Sequence, residues 1–181
     1  IIMQALSEVK PNIVIAVPLI IEKIYKSKVQ PVLEKEGIKF LMKVPGLNQV
    51  VLNKVKTELI NAFGGEFYEV IIGGAAFNKE VESFFKKMGF PFTVGYGMTE
   101  CSPIISYDDW KEEKLYSCGK AAPNMEIRID SDNPAVRPGE IQVKGANVFL
   151  GYYRNEEATS EAFTADGWFR TGDMGILDED G

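Results

Sequence analysis

From Phe67 to Gly97 the chain passes through a β-branched and aromatic run, a glycine pair, a helical repeat and a second apolar run that ends on glycines. This order limits the possible folds more than any other feature of the sequence. Phe67–Ile72 reads as a buried strand, and Gly73-Gly74 forms its exit. Asn78 is placed to cap a helix on which Val81, Phe84, Phe85 and Met88 fall on one face, and Gly89 ends that helix. Phe90–Val94 then supplies a strand that runs directly into Gly95-Tyr96-Gly97. Strand, glycine turn, helix, strand, glycine turn is the order of a right-handed βαβ unit, which sets both glycine exits at the carboxyl edge of a parallel sheet. Open α/β sheets bind ligands at that edge.

The flanking segments extend this frame. Ile1–Val9 has the pattern of a helix, Lys10-Pro11-Asn12 breaks it, and Ile13–Val17 suits a buried parallel strand closed by Pro18. A helix is expected from about Leu19 to Lys28, with Ile20, Ile21, Ile24 and Tyr25 on one side and Glu22, Lys23 and Lys26 on the other. A longer helix fits Leu47–Ala62, where Leu47, Val50, Val51, Val55 and Leu59 recur near the helical period before Gly64-Gly65. Pro31–Pro45 is ambiguous. Beyond about Met125 the texture changes to short strands, Glu126–Ile129, Glu140–Val143 and Trp168–Thr171, separated by turn residues. The expected class is therefore α/β: a parallel βαβ portion over residues 1–123, then a β-rich, antiparallel, barrel-like portion over 124–181.

Composition narrows the function. With 45% hydrophobic and 25% charged residues over 181 positions, the chain has the balance of a soluble globular protein able to bury a core. A net charge of -6 argues against a general nucleic-acid surface, which needs clustered Lys and Arg. There is no histidine, and the two cysteines, Cys101 and Cys118, stand in unrelated contexts, so no Cys/His zinc site is expected and a reducing cytoplasm is the default compartment. The most apolar stretch, Ile13–Ile21, is interrupted by Pro18 and falls far short of the roughly 20 residues a membrane helix needs. Lys23, Lys26 and Lys28 read as a solvated face; peripheral membrane contact stays open. The start at Ile1 within a helical pattern and the end on Asp178-Glu179-Asp180-Gly181 lead to the expectation of an internal piece of a longer chain.

Three segments carry groups suited to a nucleotide. In Tyr96-Gly97-Met98-Thr99-Glu100 the ring can stack on a base, the hydroxyl and amides can hold a phosphate oxygen, and the carboxylate can hold magnesium. The same residues also fit a structural loop with a buried tyrosine. Asp173, in Arg170-Thr171-Gly172-Asp173, can accept two ribose hydroxyls, or it can close a hairpin as an Asx turn. Gly73-Gly74-Ala75-Ala76 is either a tight turn or a place where backbone approaches a ligand.

Taken in order, Gly73–Ala76, Gly95–Glu100, Gly139–Gly145 with Gly151-Tyr152-Tyr153, and Gly167–Asp173 resemble the adenylate-forming, AMP-binding superfamily of acyl-CoA synthetases, luciferases and peptide-synthetase adenylation domains. The segment Val17-Pro18 to Glu22-Lys23-Ile24-Tyr25 resembles its long-chain fatty acyl-CoA synthetase branch. The resemblance implies a fragment of the acyl-CoA synthetase-like fold and a role for each matching residue. Gly74, Ala75 and Ala76 would border the adenine, and Gly95, Tyr96, Gly97 and Met98 would line the adenylate, with Tyr96 stacked on the base. Thr99 would contact the α-phosphate, Glu100 would hold Mg2+, and Asp173 would hold the ribose hydroxyls.

The implied reaction is activation of a fatty acid by ATP to an acyl-AMP, followed by transfer of the acyl group to CoA. Such chemistry needs no histidine, because the substrate carboxylate is the nucleophile and the protein aligns it and stabilises phosphate charge. Gly97, where acetate-activating relatives carry Trp, implies a deep acyl pocket. By the same resemblance the phosphate loop with its Lys would lie before Ile1, and the hinge and catalytic Lys beyond Gly181, so this chain by itself is expected to be inactive. An aryl- or amino-acid-activating member is the alternative within the superfamily. A non-catalytic nucleotide-binding module would predict degraded motifs, whereas Thr99, Glu100 and Asp173 are all present.

Overall fold

The computed structural model describes residues 2–181; Ile1, included in the first expected helix, lies outside them. The chain forms two compact units, one running to Val94 together with Asp109–Ser117, the other comprising Gly95–Asp108 and Cys118–Gly181. The change of texture read near residue 123 falls inside the second unit. Two short strands that precede it, β4 (Tyr96–Gly97) and β5 (Ile104–Tyr107), already pair antiparallel and belong with the β-rich part.

In the first unit, α1 (Ile2–Val9) is followed by β1 (Ile13–Ala16) and by α2 (Pro18–Ile24), with Pro18 at the start of the helix, where its missing N–H costs nothing. The helical run does not stop near Lys28. It passes through one π turn, Tyr25–Val29, into α3 (Gln30–Leu33), and α4 (Glu36–Lys43) follows, so the ambiguous Pro31–Pro45 stretch is largely helical. Pro31 is tolerated because it too sits in a first turn. The next helix, α5 (Leu47–Ala62), has the expected bounds but a shifted buried stripe: Val51, Leu52, Val55 and Leu59 are buried, while Leu47 and Val50 are exposed.

Strand β2 (Glu69–Ile72), helix α6 (Lys79–Met88) and strand β3 (Phe92–Val94) complete the βαβ unit. All neighbours in the sheet β1-β2-β3 are parallel, with Ala16 level with Ile72 and Ile72 level with Val94. Both glycine exits therefore leave the sheet at its carboxyl edge. Asn78 caps α6 by accepting from the amides of Glu80 and Val81 at 3.0 and 3.2 Å, and Gly89 closes it in the left-handed region at φ 66°. One face of the sheet, Val70, Ile72, Phe92 and Val94, packs with Phe63, Phe77, Phe85 and Phe90 into the core.

Residues 109–117 pack onto this unit through polar contacts. Tyr68 donates to Asp109 at 2.8 Å, Ser83 and Tyr116 share a hydroxyl hydrogen bond of 2.6 Å, and the ammonium of Lys79 lies 5.2 Å from the Tyr116 ring centre. Glu82, a charged residue on the buried side of α6, accepts the Tyr116 N–H at 2.5 Å. Burial raises its pKa, and the Tyr116 bond and the charge of Lys79 oppose the rise. A carboxyl whose folded pKa is raised adds stability below its ordinary value of 4.5 and loses that contribution as pH climbs through the raised value. Stability is thus expected to decline across that window, and Glu82→Gln, which keeps an acceptor for Tyr116, to flatten the decline. Urea unfolding of both proteins at about pH 4 and about pH 7 checks this; an unchanged pH dependence in Glu82→Gln would contradict it.

In the second unit β4, β5 and β6 (Lys120–Ala121) form an antiparallel sheet, and β7 (Met125–Asp130), β8 (Gly139–Gly145) and β9 (Phe169–Gly175) form another, with α7 (Glu156–Ala162) between the last two strands. Both sheets are antiparallel throughout, as short strands joined by turns require. A smaller core gathers Cys101, Ile105, Met125, Val143 and Phe169, with Tyr96, Met98 and Phe149 packed against it. Among the described residues no helix is long and apolar enough to cross a membrane.

Candidate functional site

The residues singled out from the sequence divide between the two units. Gly74, Ala75 and Ala76 stand in the first, just past β2, where Gly73 donates to the Ala16 carbonyl at 3.2 Å and Gly74 takes φ 87°, a conformation that favours glycine. The loop is secured at its far end by Glu22, which accepts the backbone N–H of Asn78 at 3.2 Å. Glu22, part of the segment that resembles fatty-acid activators, thus has a structural task of its own.

Gly95, Tyr96, Gly97, Met98, Thr99, Glu100 and Asp173 all belong to the second unit. Tyr96 and Asp173, separated by 77 positions in sequence, meet directly: the Tyr96 hydroxyl donates to Asp173 Oδ2 at 2.7 Å. Burial, reinforced by Asp173, pushes the Tyr96 phenol well above its ordinary 10.0, so it stays a protonated donor through neutral pH. A half-buried aromatic ring and an exposed carboxylate therefore stand side by side.

Local chemistry explains how Asp173 is presented. The β8–β9 ladder passes from Gln142 opposite Arg170 to Glu140 opposite Met174, so the residues between bulge out of register. Gly172 has φ 75° within that bulge. The buried Thr171 hydroxyl donates to the Ile141 carbonyl at 2.8 Å and accepts the Asp173 N–H at 3.1 Å, and Glu140 takes Arg170 at 2.9 Å and the Gly172 N–H at 3.3 Å. Thr-Gly-Asp is thus a bulge held from both sides, more than a simple Asx turn.

Thr99, Glu100 and Cys101 form a single 3-10 turn between β4 and β5, with Thr99 exposed and Glu100 half-buried. The Met98 N–H donates to the Pro103 carbonyl at 2.8 Å. Burial and the neighbouring Glu100 push the Cys101 thiol up to about 11, which leaves it unreactive at neutral pH. Glu100 is gripped twice by the loop that carries Gly151-Tyr152-Tyr153: its carbonyl accepts the Phe149 N–H at 2.7 Å, and its Oε1 accepts the Tyr152 hydroxyl at 3.0 Å. Asn147 adds bonds to the carbonyls of Cys101 and Ile104 at 2.7 and 2.9 Å. Gly151-Tyr152-Tyr153 stood out in the sequence as a motif, but nothing in its spacing says which residue Tyr152 touches. Among the described residues no cluster of three or more His, Cys, Asp or Glu side chains able to hold a metal ion occurs.

A family model described as AMP-binding enzyme matches residues 1–153. The chain belongs to that family. Among AMP-binding enzymes it is similar to the long-chain-fatty-acid–CoA ligase FadD15 of Mycobacterium bovis, 34% identical over 200 aligned residues that take in 99% of this chain and 32% of the relative. It is also similar to the 2-succinylbenzoate–CoA ligase of Bacillus cereus, 38% identical over 141 residues, 72% of this chain and 29% of the relative. The chain thus spans about a third of the length of these relatives. In fold it matches the o-succinylbenzoate CoA synthetase MenE of Bacillus subtilis, solved in complex with AMP, with a TM-score of 0.70 at 24% identity over 99% of this chain and 31% of that one. The parallel sheet and the antiparallel sheets together are those of the acyl-CoA synthetase-like fold expected from the motifs.

Proposed function

We propose that this AMP-binding enzyme chain is part of an ATP-dependent acid–CoA ligase, and that Tyr96 and Asp173 hold the nucleoside of its acyl-adenylate. The observation that carries the proposal is their 2.7 Å contact, since a ring for the base and a carboxylate for the ribose hydroxyls must be adjacent to serve one nucleoside. Thr99 is assigned to the α-phosphate and Glu100 to Mg2+. ATP and CoA are the co-substrates. The protein's part in catalysis is alignment of the carboxylate with the α-phosphorus and stabilisation of phosphate charge, to which a bound Mg2+ would add.

The acid proposed is a long-chain fatty acid. Similarity to FadD15 over nearly the whole chain and the Val17-Pro18 to Glu22-Lys23-Ile24-Tyr25 segment support it. An aromatic carboxylate is the second reading, favoured by the higher identity to 2-succinylbenzoate–CoA ligase over a shorter span. ATP–pyrophosphate exchange by the intact ligase with long-chain acids and with 2-succinylbenzoate separates the two.

The nucleoside assignment is tested by equilibrium binding of a non-hydrolysable acyl-adenylate analogue to the intact ligase. Asp173→Ala removes charged hydrogen bonds worth about 1.5–3 kcal/mol, so binding should weaken roughly 10- to 100-fold. Thr99→Ala removes one hydrogen bond to a charged phosphate and should weaken binding by roughly tenfold. Unaltered binding by both variants would refute the assignment.

A further inference from the structure

We infer that Tyr152 is a positioning residue for Glu100, fixing the carboxylate so that Oε2 is offered to a magnesium–phosphate group; this rests on the assignment of Glu100 proposed above. The geometry is that of a clamp. The Tyr152 hydroxyl donates to Oε1 at 3.0 Å, and among the described residues Oε2 has no hydrogen-bond partner. One oxygen is tied and the other is open, which is what a monodentate ligand requires.

The clamp is itself rigid. The Tyr152 ring meets Phe149 edge-on at 4.8 Å, and Phe149 packs against Phe163 and Phe169 at 5.7 and 5.3 Å. The Tyr152 amide donates to the Thr159 hydroxyl at 2.9 Å, which in turn donates to the Asn155 carbonyl at 2.7 Å. At the other end the Phe149 amide holds the Glu100 carbonyl at 2.7 Å. Backbone and side chain of Glu100 are therefore set by one loop anchored in the aromatic core. Without the phenol, the carboxylate would sample other rotamers, and each cation bound would have to select the competent one.

Tyr152→Phe keeps the ring and its packing and removes only the donor. Calorimetric binding of ATP to the intact ligase, with Mg2+ and with the metal chelated, is the test. Tyr152→Phe is expected to weaken ATP binding about fivefold in Mg2+ and to leave metal-free binding unchanged. In a Glu100→Gln background the same substitution should have no further effect, because there is no carboxylate left to orient. Equal weakening with and without Mg2+, or no weakening at all while Glu100→Gln abolishes the Mg2+ effect, would overturn the positioning role and leave the assignment of Glu100 standing. A Glu100→Gln protein with an intact Mg2+ effect would instead bring down that assignment, and the inference with it. Should Tyr152→Phe unfold, Thr159→Val, which removes the hydroxyl that accepts the Tyr152 amide and donates to the Asn155 carbonyl, is expected to shift the Mg2+-dependent binding in the same direction, and an unshifted value would count against the clamp.

Discussion

Replacing Gly97 by alanine in the intact ligase is expected to destabilise it by roughly 2–3 kcal/mol, and replacement by tryptophan by more, whatever acid the enzyme prefers. A Cβ at this position would lie 2.0 Å from the Pro103 carbonyl oxygen and 2.9 Å from its carbon, both backbone atoms of the chain entering β5. That oxygen accepts the Met98 N–H at 2.8 Å, so relief of the clash has to open the β4–β5 pair beside Thr99 and Glu100. A flexible side chain could move aside; a paired backbone cannot. Gly97 thus has a second explanation besides an open acyl pocket, and Gly97→Trp is not a clean probe of acyl length. Urea unfolding and activity with long and short acids, measured together, decide the matter. Parallel loss of stability and of activity toward every acid is the expected result. A Gly97→Trp enzyme as stable as the parent and switched to short acids would show that strand approach is not what demands glycine.

The largest loss expected in the first unit is at Phe85, about 3–5 kcal/mol on substitution by alanine. Its side chain is 1% exposed and meets Phe90 at 4.8 Å, Phe92 at 5.7 Å, Tyr25 at 6.1 Å and Phe77 at 6.2 Å between ring centres. These partners come from the π turn after α2, the loop before α6, the approach to β3 and β3 itself, so one ring ties the βαβ unit to the preceding helices. Neighbouring rings already in close contact cannot collapse into a hole that size, and the cavity adds to the lost transfer energy. A lower urea midpoint at unchanged m value is the expected signature, with Phe85→Leu losing distinctly less. An alanine variant within about 1 kcal/mol of the parent would mean that the site repacks.

Phe85 was visible beforehand as part of an apolar stripe on α6, and so were the cap at Asn78 and the stop at Gly89, because each depends on residues within one or two turns of one another. The bounds of α5 were legible for the same reason, yet its buried face was not: Leu47 and Val50 fit the period as well as Leu52 does, and which of them is covered depends on what lies against the helix. Pro31 was ambiguous because a proline ends one helix or begins another, and sequence does not distinguish the two without knowing where the π turn falls. Glu82 gave no warning of its burial; its partner, Tyr116, is 34 residues away.

What the sequence determined by itself was the α/β class and the parallel order of the βαβ unit, since periodicity, caps and glycine turns are local physics carried on neighbouring residues; the groups proposed for a nucleotide rest on residue type and on the family resemblance. The tertiary structure decided how those groups combine. It joined Tyr96 to Asp173 and Tyr152 to Glu100, across 77 and 52 positions, and it set Gly97 against the Pro103 carbonyl. Contacts of that kind are fixed by strand register, by a bulge in β9 and by the packing of an aromatic core, and no spacing along the chain encodes their distances.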